Sequence, residues 1–295
     1  MPLVDYSFLS KILPKAKIKK GFRNAKQSYL NRIRLAASLF FFGMGFCFAT
    51  WASRIPDIKS ALNLSEAALG TLFFALPLGQ LVAIPFSGKA VTRYGSRNIS
   101  ILGLMMYSLC LILPWLATVD WQLAIALFLF GFVGNFCNIA VNTQGVYTQQ
   151  LFPKPIIGSF HGPWSLAGFC GAFLGLLMLA FKLSPFQHFV VAFFLVSLIV
   201  ALNYKYIVKS KSKQEEKKSG YSFFKNPDKT LLWLGVLCFC GMASEGIMFD
   251  WSIFQRYSGG KYDPKKVLVA SGIIISCGSY NPAFYFISDR GAVSI

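Results

Sequence analysis

Asn135, Asn138 and Asn142 recur at i, i+3 and i+7 inside a long apolar run, so they share one face of a helix. Each amide carries two donors and an acceptor, a set that suits the hydroxyls of a polar solute. Gln144 follows two residues later. A polar side chain in so apolar a stretch must face a partner helix or a wet cavity. The three asparagines therefore either line a cavity or tie helices together by hydrogen bonds.

Glu245 and Asp250 are the only acids within or at the edge of a later apolar run. A carboxylate at such depth can hold and release a proton, which makes Glu245 the first candidate for proton coupling. The bland alternative is a paired carboxylate, or one in the headgroup zone, and Asp250 sits nearer that boundary. His161 could also titrate near neutrality, or cap a helix at the membrane surface. His188 reads as interfacial. Trp164 follows His161 by three residues, and Gly168, Gly171 and Gly175 then form a small-residue stripe suited to close helix packing. Trp51 and Arg54 share a helix face. They read either as interfacial anchors or as an aromatic platform beside a guanidinium.

No nucleophile, paired-carboxylate, phosphate-loop or metal-ligand pattern emerges, so the reading is not an enzyme and calls for no cofactor. The seven cysteines, Cys47, Cys110, Cys137, Cys170, Cys238, Cys240 and Cys277, all fall in apolar runs and read as small buried hydrophobes.

The elements that must position these residues follow from composition. The chain has 295 residues, 55% apolar and only 14% charged, with a mean hydropathy of +0.54. That excludes a soluble domain, a secreted disulfide scaffold and a disordered tail. The continuous apolar runs also argue against an alternating β-barrel. At roughly 20 residues per crossing, eight spans emerge: 33–53, 66–87, 98–118, 121–143, 159–181, 186–207, 230–250 and 267–288. Asn63 or Ser65 can cap the second. Residues 1–31 form a basic tail, either an amphipathic surface helix or disordered. Residues 208–229 form a charged linker between a six-span part, 32–207, and a two-span part, 230–295.

The net charge of +18 lies outside the spans, which points to topology and anionic lipid and away from nucleic acid. Of the 29 Lys and Arg, all but seven fall on the side of the N-terminal tail. The expectation is an N-terminus in the cytoplasm.

The turn between spans two and three reads Gly88-Lys-Ala-Val-Thr92-Arg93-Tyr-Gly95-Ser-Arg97. It resembles the signature cytoplasmic turn of the major facilitator superfamily, Gly-x-x-x-Asp-Arg-x-Gly-Arg-Lys/Arg. Gly88, Arg93, Gly95 and Arg97 match, and Thr92 stands in place of the acid. Trp51-Ala-Ser-Arg54-Ile-Pro56, Asn142-Thr-Gln-Gly145, His161-Gly-Pro-Trp164 and Glu245-Gly-Ile-Met-Phe-Asp250 look like a bacterial inner-membrane subgroup loosely related to fucose permease.

The resemblance implies an all-α polytopic membrane protein in which two six-helix halves rock about a central solute site lined by helices one, four and seven. It implies secondary transport of a small polar, sugar-like solute, with a proton as possible partner. The expected substrate-binding set is Trp51, Asn135, Asn138, Asn142, Gln144 and Trp164. The proton-coupling set is Glu245, Asp250 and His161, and the gating turn comprises Gly88, Arg93, Gly95 and Arg97. The family has twelve helices. The run Asp289-Arg290-Gly291 near the end looks like a degraded second copy of the turn. The expectation is a six-helix N-terminal half plus about two helices of a truncated C-terminal half, with a non-transporting remnant as the alternative function. The oligomeric state is left open.

Overall fold

A computed structural model describes residues 15–209 together with Trp233, Val236, Leu237 and Cys240, with side-chain surroundings from residue 25 onward. The expected spans seven and eight, with Glu245 and Asp250, otherwise lie outside the described residues. Within them the chain is helical, with no strand. Six stretches are long and apolar enough to cross a membrane: Ala25–Ala61, Glu66–Tyr94, Ser96–Leu116, Asp120–Gln149, Ile157–Ala180 and Pro185–Asn203. Each coincides with one of the first six expected spans.

Span one joins α1 (Lys15–Ser53) to α2 (Ile55–Ala61), and span two joins α3 (Glu66–Phe73) to α4 (Ala75–Tyr94). Span three is α5 (Ser96–Cys110) with the short α6 (Leu113–Leu116), and span four is α7 (Asp120–Gln149). A 3-10 turn, Ile157–Phe160, leads into α8 (His161–Ala180), and α9 (Pro185–Asn203) is span six.

Prolines and caps explain the boundaries. No proline lies between Pro14 and Pro56, so nothing breaks α1. The basic stretch read as a separate tail is instead continuous with span one from Lys15. At 39 residues the helix is about 58 Å long, well beyond a hydrocarbon core of about 30 Å. Pro56 opens α2 within its first turn. Ser65, one of the two expected caps, accepts a hydrogen bond from the Ala68 amide at 3.1 Å. Ser184 and Gln187 form a reciprocal capping box on α9, with Pro185 in its first turn.

Spans two and four pack most extensively, followed by spans one and five, and by three and four. Glycines make the first two contacts possible. A carbon added at Gly79 would collide with the Phe128 carbonyl, and one at Gly131 with the Leu76 carbonyl. Spans two and four thus approach backbone to backbone at two reciprocal points. Gly171 takes the methyl of Ala49, 2.7 Å from such a carbon, and a carbon at Gly45 would lie as close to the Trp164 carbonyl. The stripe Gly168, Gly171 and Gly175 is buried throughout. Gly131→Val should cost about 3 kcal/mol, because backbone atoms cannot rotate aside. Thermal unfolding in detergent would show it, with Gly70→Ala as the control, since nothing lies near that position.

The centre of the bundle is aromatic. Phe40, Phe41, Phe130, Phe160 and Phe189 are all but completely buried. Tyr107 stacks on Phe130 at 4.5 Å between ring centres. Cys47, Cys110 and Cys137 are buried beside them as packing residues.

Candidate functional site

The three asparagines of α7 part company. Asn135 is half-buried, and its Oδ1 accepts a hydrogen bond from Ser87 Oγ of α4 at 2.8 Å. It ties spans four and two together. Asn138 and Asn142 are exposed one turn apart. Asn142 Nδ2 donates to Asn138 Oδ1 at 2.7 Å and to the Asn138 carbonyl at 2.9 Å. That arrangement leaves the Asn138 amide donors and the Asn142 carbonyl oxygen without partners among the described residues. A free donor and a free acceptor therefore sit side by side within an apolar span. They form a fixed amide pair able to meet adjacent hydroxyls.

Gln144 does not join them. It is 1% exposed, and both ends of its amide are taken. Its Nε2 donates to Ser96 Oγ at 2.7 Å and to the Val208 carbonyl at 3.0 Å. Its Oε1 accepts from the Val208 amide at 3.1 Å. The glutamine braces the segment after span six against the start of α5. At about 100° per residue, Gln144 stands about 180° around the helix from Asn135 and about 160° from Asn142, on the opposite face, which is turned into the bundle.

Trp51 is also drawn inside, at 3% exposure. Its ring meets Phe130 at 6.0 Å and Phe73 at 6.4 Å. Trp164 is half-buried on α8 against Gly45. His161 opens α8 half-buried, with its ring edge-on to Phe41 at 5.9 Å.

The turn between spans two and three is a single residue, Gly95, at φ 82°. Only glycine adopts that conformation without strain. Its amide donates to the Val91 carbonyl at 3.0 Å, closing α4. Arg97 Nη2 donates to the Tyr204 carbonyl at 3.0 Å, so the turn is held to the end of span six beside the Gln144 brace. Arg93 is exposed and lies over the Tyr94 ring at 5.4 Å. A side-chain carbon added at Gly88 would meet nothing within 4 Å among the described residues.

At the opposite end of the bundle lies a cluster not foreseen from the sequence. Arg54, 2% exposed, donates from Nε to His188 Nδ1 at 3.0 Å. It also donates from Nη1 to Asp57 Oδ2 at 3.3 Å and from Nη2 to the Leu183 carbonyl at 3.3 Å. His188 was expected at the interface and is instead fully buried. Its Nδ1 accepts, so its proton rests on Nε2, and that atom has no partner among the described residues. The capping box at Ser184 was the available signal. It starts α9 at residue 185 and places His188 one turn inside.

Residues 35–292 match the family model of the Major Facilitator Superfamily. The chain belongs to that superfamily. An uncharacterized MFS-type transporter of Yersinia pestis is 28% identical over 221 residues, 74% of this chain and 56% of that protein. An uncharacterized transporter of Sinorhizobium fredii is 27% identical over 208 residues, 70% of this chain and 55% of its own length. The membrane protein MosC of Rhizobium meliloti is 26% identical over 221 residues, 74% of this chain and 52% of its own. The chain thus spans about half the length of these relatives. As a facilitator it is a multi-pass membrane protein of a transporter family. The Gly95 turn lies within the matched residues and resembles the family's signature turn, with Thr92 in place of its acid.

Proposed function

We propose that this facilitator chain serves secondary transport of a small polar, sugar-like solute across the bacterial inner membrane by alternating access, with a proton as co-substrate. The observation that carries the reading is the Asn138–Asn142 pair. An exposed donor and acceptor inside an apolar span are costly against lipid and favourable against a hydrated solute. The pair is the solute-contacting face of span four, with Trp164 on span five as a flanking aromatic. Trp51 acts from behind as a packing residue, Asn135 holds span four to span two, and Gln144 holds the gate end. The likeness of four sequence segments to permeases loosely related to fucose permease supports a sugar-like solute.

The excess of Lys and Arg on the side of the N-terminus supports a cytoplasmic N-terminus. In that orientation the turn at Gly88, Arg93, Gly95 and Arg97 is the inner gate. Its tie from Arg97 to the end of span six lies within the six-span half and holds that half's gate end together.

Glu245 is the proposed proton carrier, with Asp250 and His161 as further candidates. Proteoliposomes holding the full chain, challenged with a panel of labelled sugars under an imposed pH gradient, test both parts. Accumulation of at least one sugar above its outside concentration is expected. Glu245→Gln should abolish accumulation and leave downhill exchange. Loss of neither, or no uptake of any polar solute, overturns the reading.

A further inference from the structure

A groove of about 510 Å³ opens on the outer face of spans two, three and four. Ala90 and Tyr94 of α4 form one wall, and Ile99, Leu102 and Met106 of α5 form the other. Phe132 and Phe136 of α7 form the floor. Asn98 is the one amide on the lining, and it stands at the mouth beside Tyr94, to whose carbonyl it donates at 3.2 Å. The groove therefore runs from the middle of the bundle, where it is wholly apolar, to the end that carries the Gly95 turn.

The mouth is cationic. Arg93, exposed, is held over the Tyr94 ring that forms one wall, and Lys89 directly precedes the lining residue Ala90 in the chain. No Asp or Glu occurs between residues 66 and 120. Thr92 stands where the family carries an acid, and its hydroxyl donates inward to the Gly88 and Lys89 carbonyls. No acid in the turn itself neutralises Arg93 or Lys89. An apolar slot at bilayer depth with unneutralised cations at its membrane-surface end is complementary to one kind of molecule, an amphiphile with a long apolar tail and an anionic head.

We propose that this groove binds one anionic phospholipid, its acyl chain along Leu102, Met106 and Phe136 and its phosphate at Arg93 and Asn98. The lipid supplies the negative charge that Thr92 does not, and so sets the strength of the turn's contacts. The site stands on the groove and its charge alone and does not depend on the solute or the proton.

Native mass spectrometry of the purified full chain, exchanged into dioleoyl phosphatidylglycerol or dioleoyl phosphatidylcholine, tests it. One phosphatidylglycerol should be retained in preference to phosphatidylcholine. Arg93→Gln should weaken that retention about fivefold, as expected for one surface cation, and Arg93→Lys should restore most of it. Leu102→Trp fills the slot from an exposed position and should remove the tight lipid altogether. Ala90→Phe, from the facing wall, should do the same independently. Equal retention of both lipids overturns the proposal. So does phosphatidylglycerol retained unchanged by both groove-filling variants, and so does cross-linking from Asn98→Cys to a second chain or to residues 210–295, which would show protein in the groove.

Discussion

Asn138→Ala should raise the KM for the transported solute about tenfold and leave the unfolding midpoint in detergent within experimental scatter. The tenfold figure corresponds to about 1.4 kcal/mol, within the range for a lost hydrogen bond whose partner stays desolvated. Stability should hold because Asn138 is exposed and, among the described residues, its side chain bonds only Asn142. Exposed substitutions of that kind move stability by about 0.5 kcal/mol or less. Asn142→Ala should behave alike, and the double variant should lose little more than either single one. The two amides act as one unit, since Asn142 orients Asn138. Asn135→Ala provides the contrast. It removes the acceptor of Ser87 Oγ between spans two and four, so it should lower stability while leaving KM unchanged. If Asn138→Ala lowers the unfolding midpoint as much as Asn135→Ala, the amide pair is helix glue and the solute lies elsewhere.

Arg54→Ala should be the most damaging single change to the bundle, costing about 3 kcal/mol or more. Arg54 joins α2, the loop before span six and α9 through three donors on one buried guanidinium. Removing it leaves neither ring nitrogen of the fully buried His188 with a partner among the described residues. Arg54→Lys should recover less than half of the loss, because a single ammonium cannot reach three acceptors set in a fork. The decisive comparison is a double-mutant cycle with His188→Ala, read by thermal unfolding. A coupling of about 1 kcal/mol or more is expected for neighbours in one buried network. Additive effects would mean that the contact contributes nothing and that Arg54 acts by filling space alone. The cluster closes the end of the bundle opposite the Gly95 turn, so the two ends are held by different chemistry. A buried guanidinium holds one, and a backbone turn with an amide brace holds the other.

Much of this architecture was legible in the residues themselves. Six apolar runs set six membrane spans, and Ser65 was one of the two residues offered as the cap of the second. Gly95 specified a tight turn, and the glycines of α8 announced close packing. Those features are local, or depend only on the number of apolar residues needed to cross a bilayer. Periodicity also put Asn135, Asn138 and Asn142 on one face, correctly in angle.

Angle alone could not say what stood opposite that face. Ser87 lies 48 residues from Asn135, and Ser96 lies 48 from Gln144. Only the packing of spans two, three and four brings them together. That packing leaves Asn138 and Asn142 as the exposed pair and turns Gln144 into a brace. The same holds for Arg54 and His188, 134 residues apart. Each reads alone as a residue that could stay at the membrane surface, and only the pair can be buried, because each satisfies the other. The sequence by itself determined how many times the described chain crosses the membrane, where it turns, and which residues are too polar to face lipid. The tertiary structure decided which of those polar groups hold helices together and which remain free to meet a solute, because a hydrogen bond needs a partner that helical periodicity does not name.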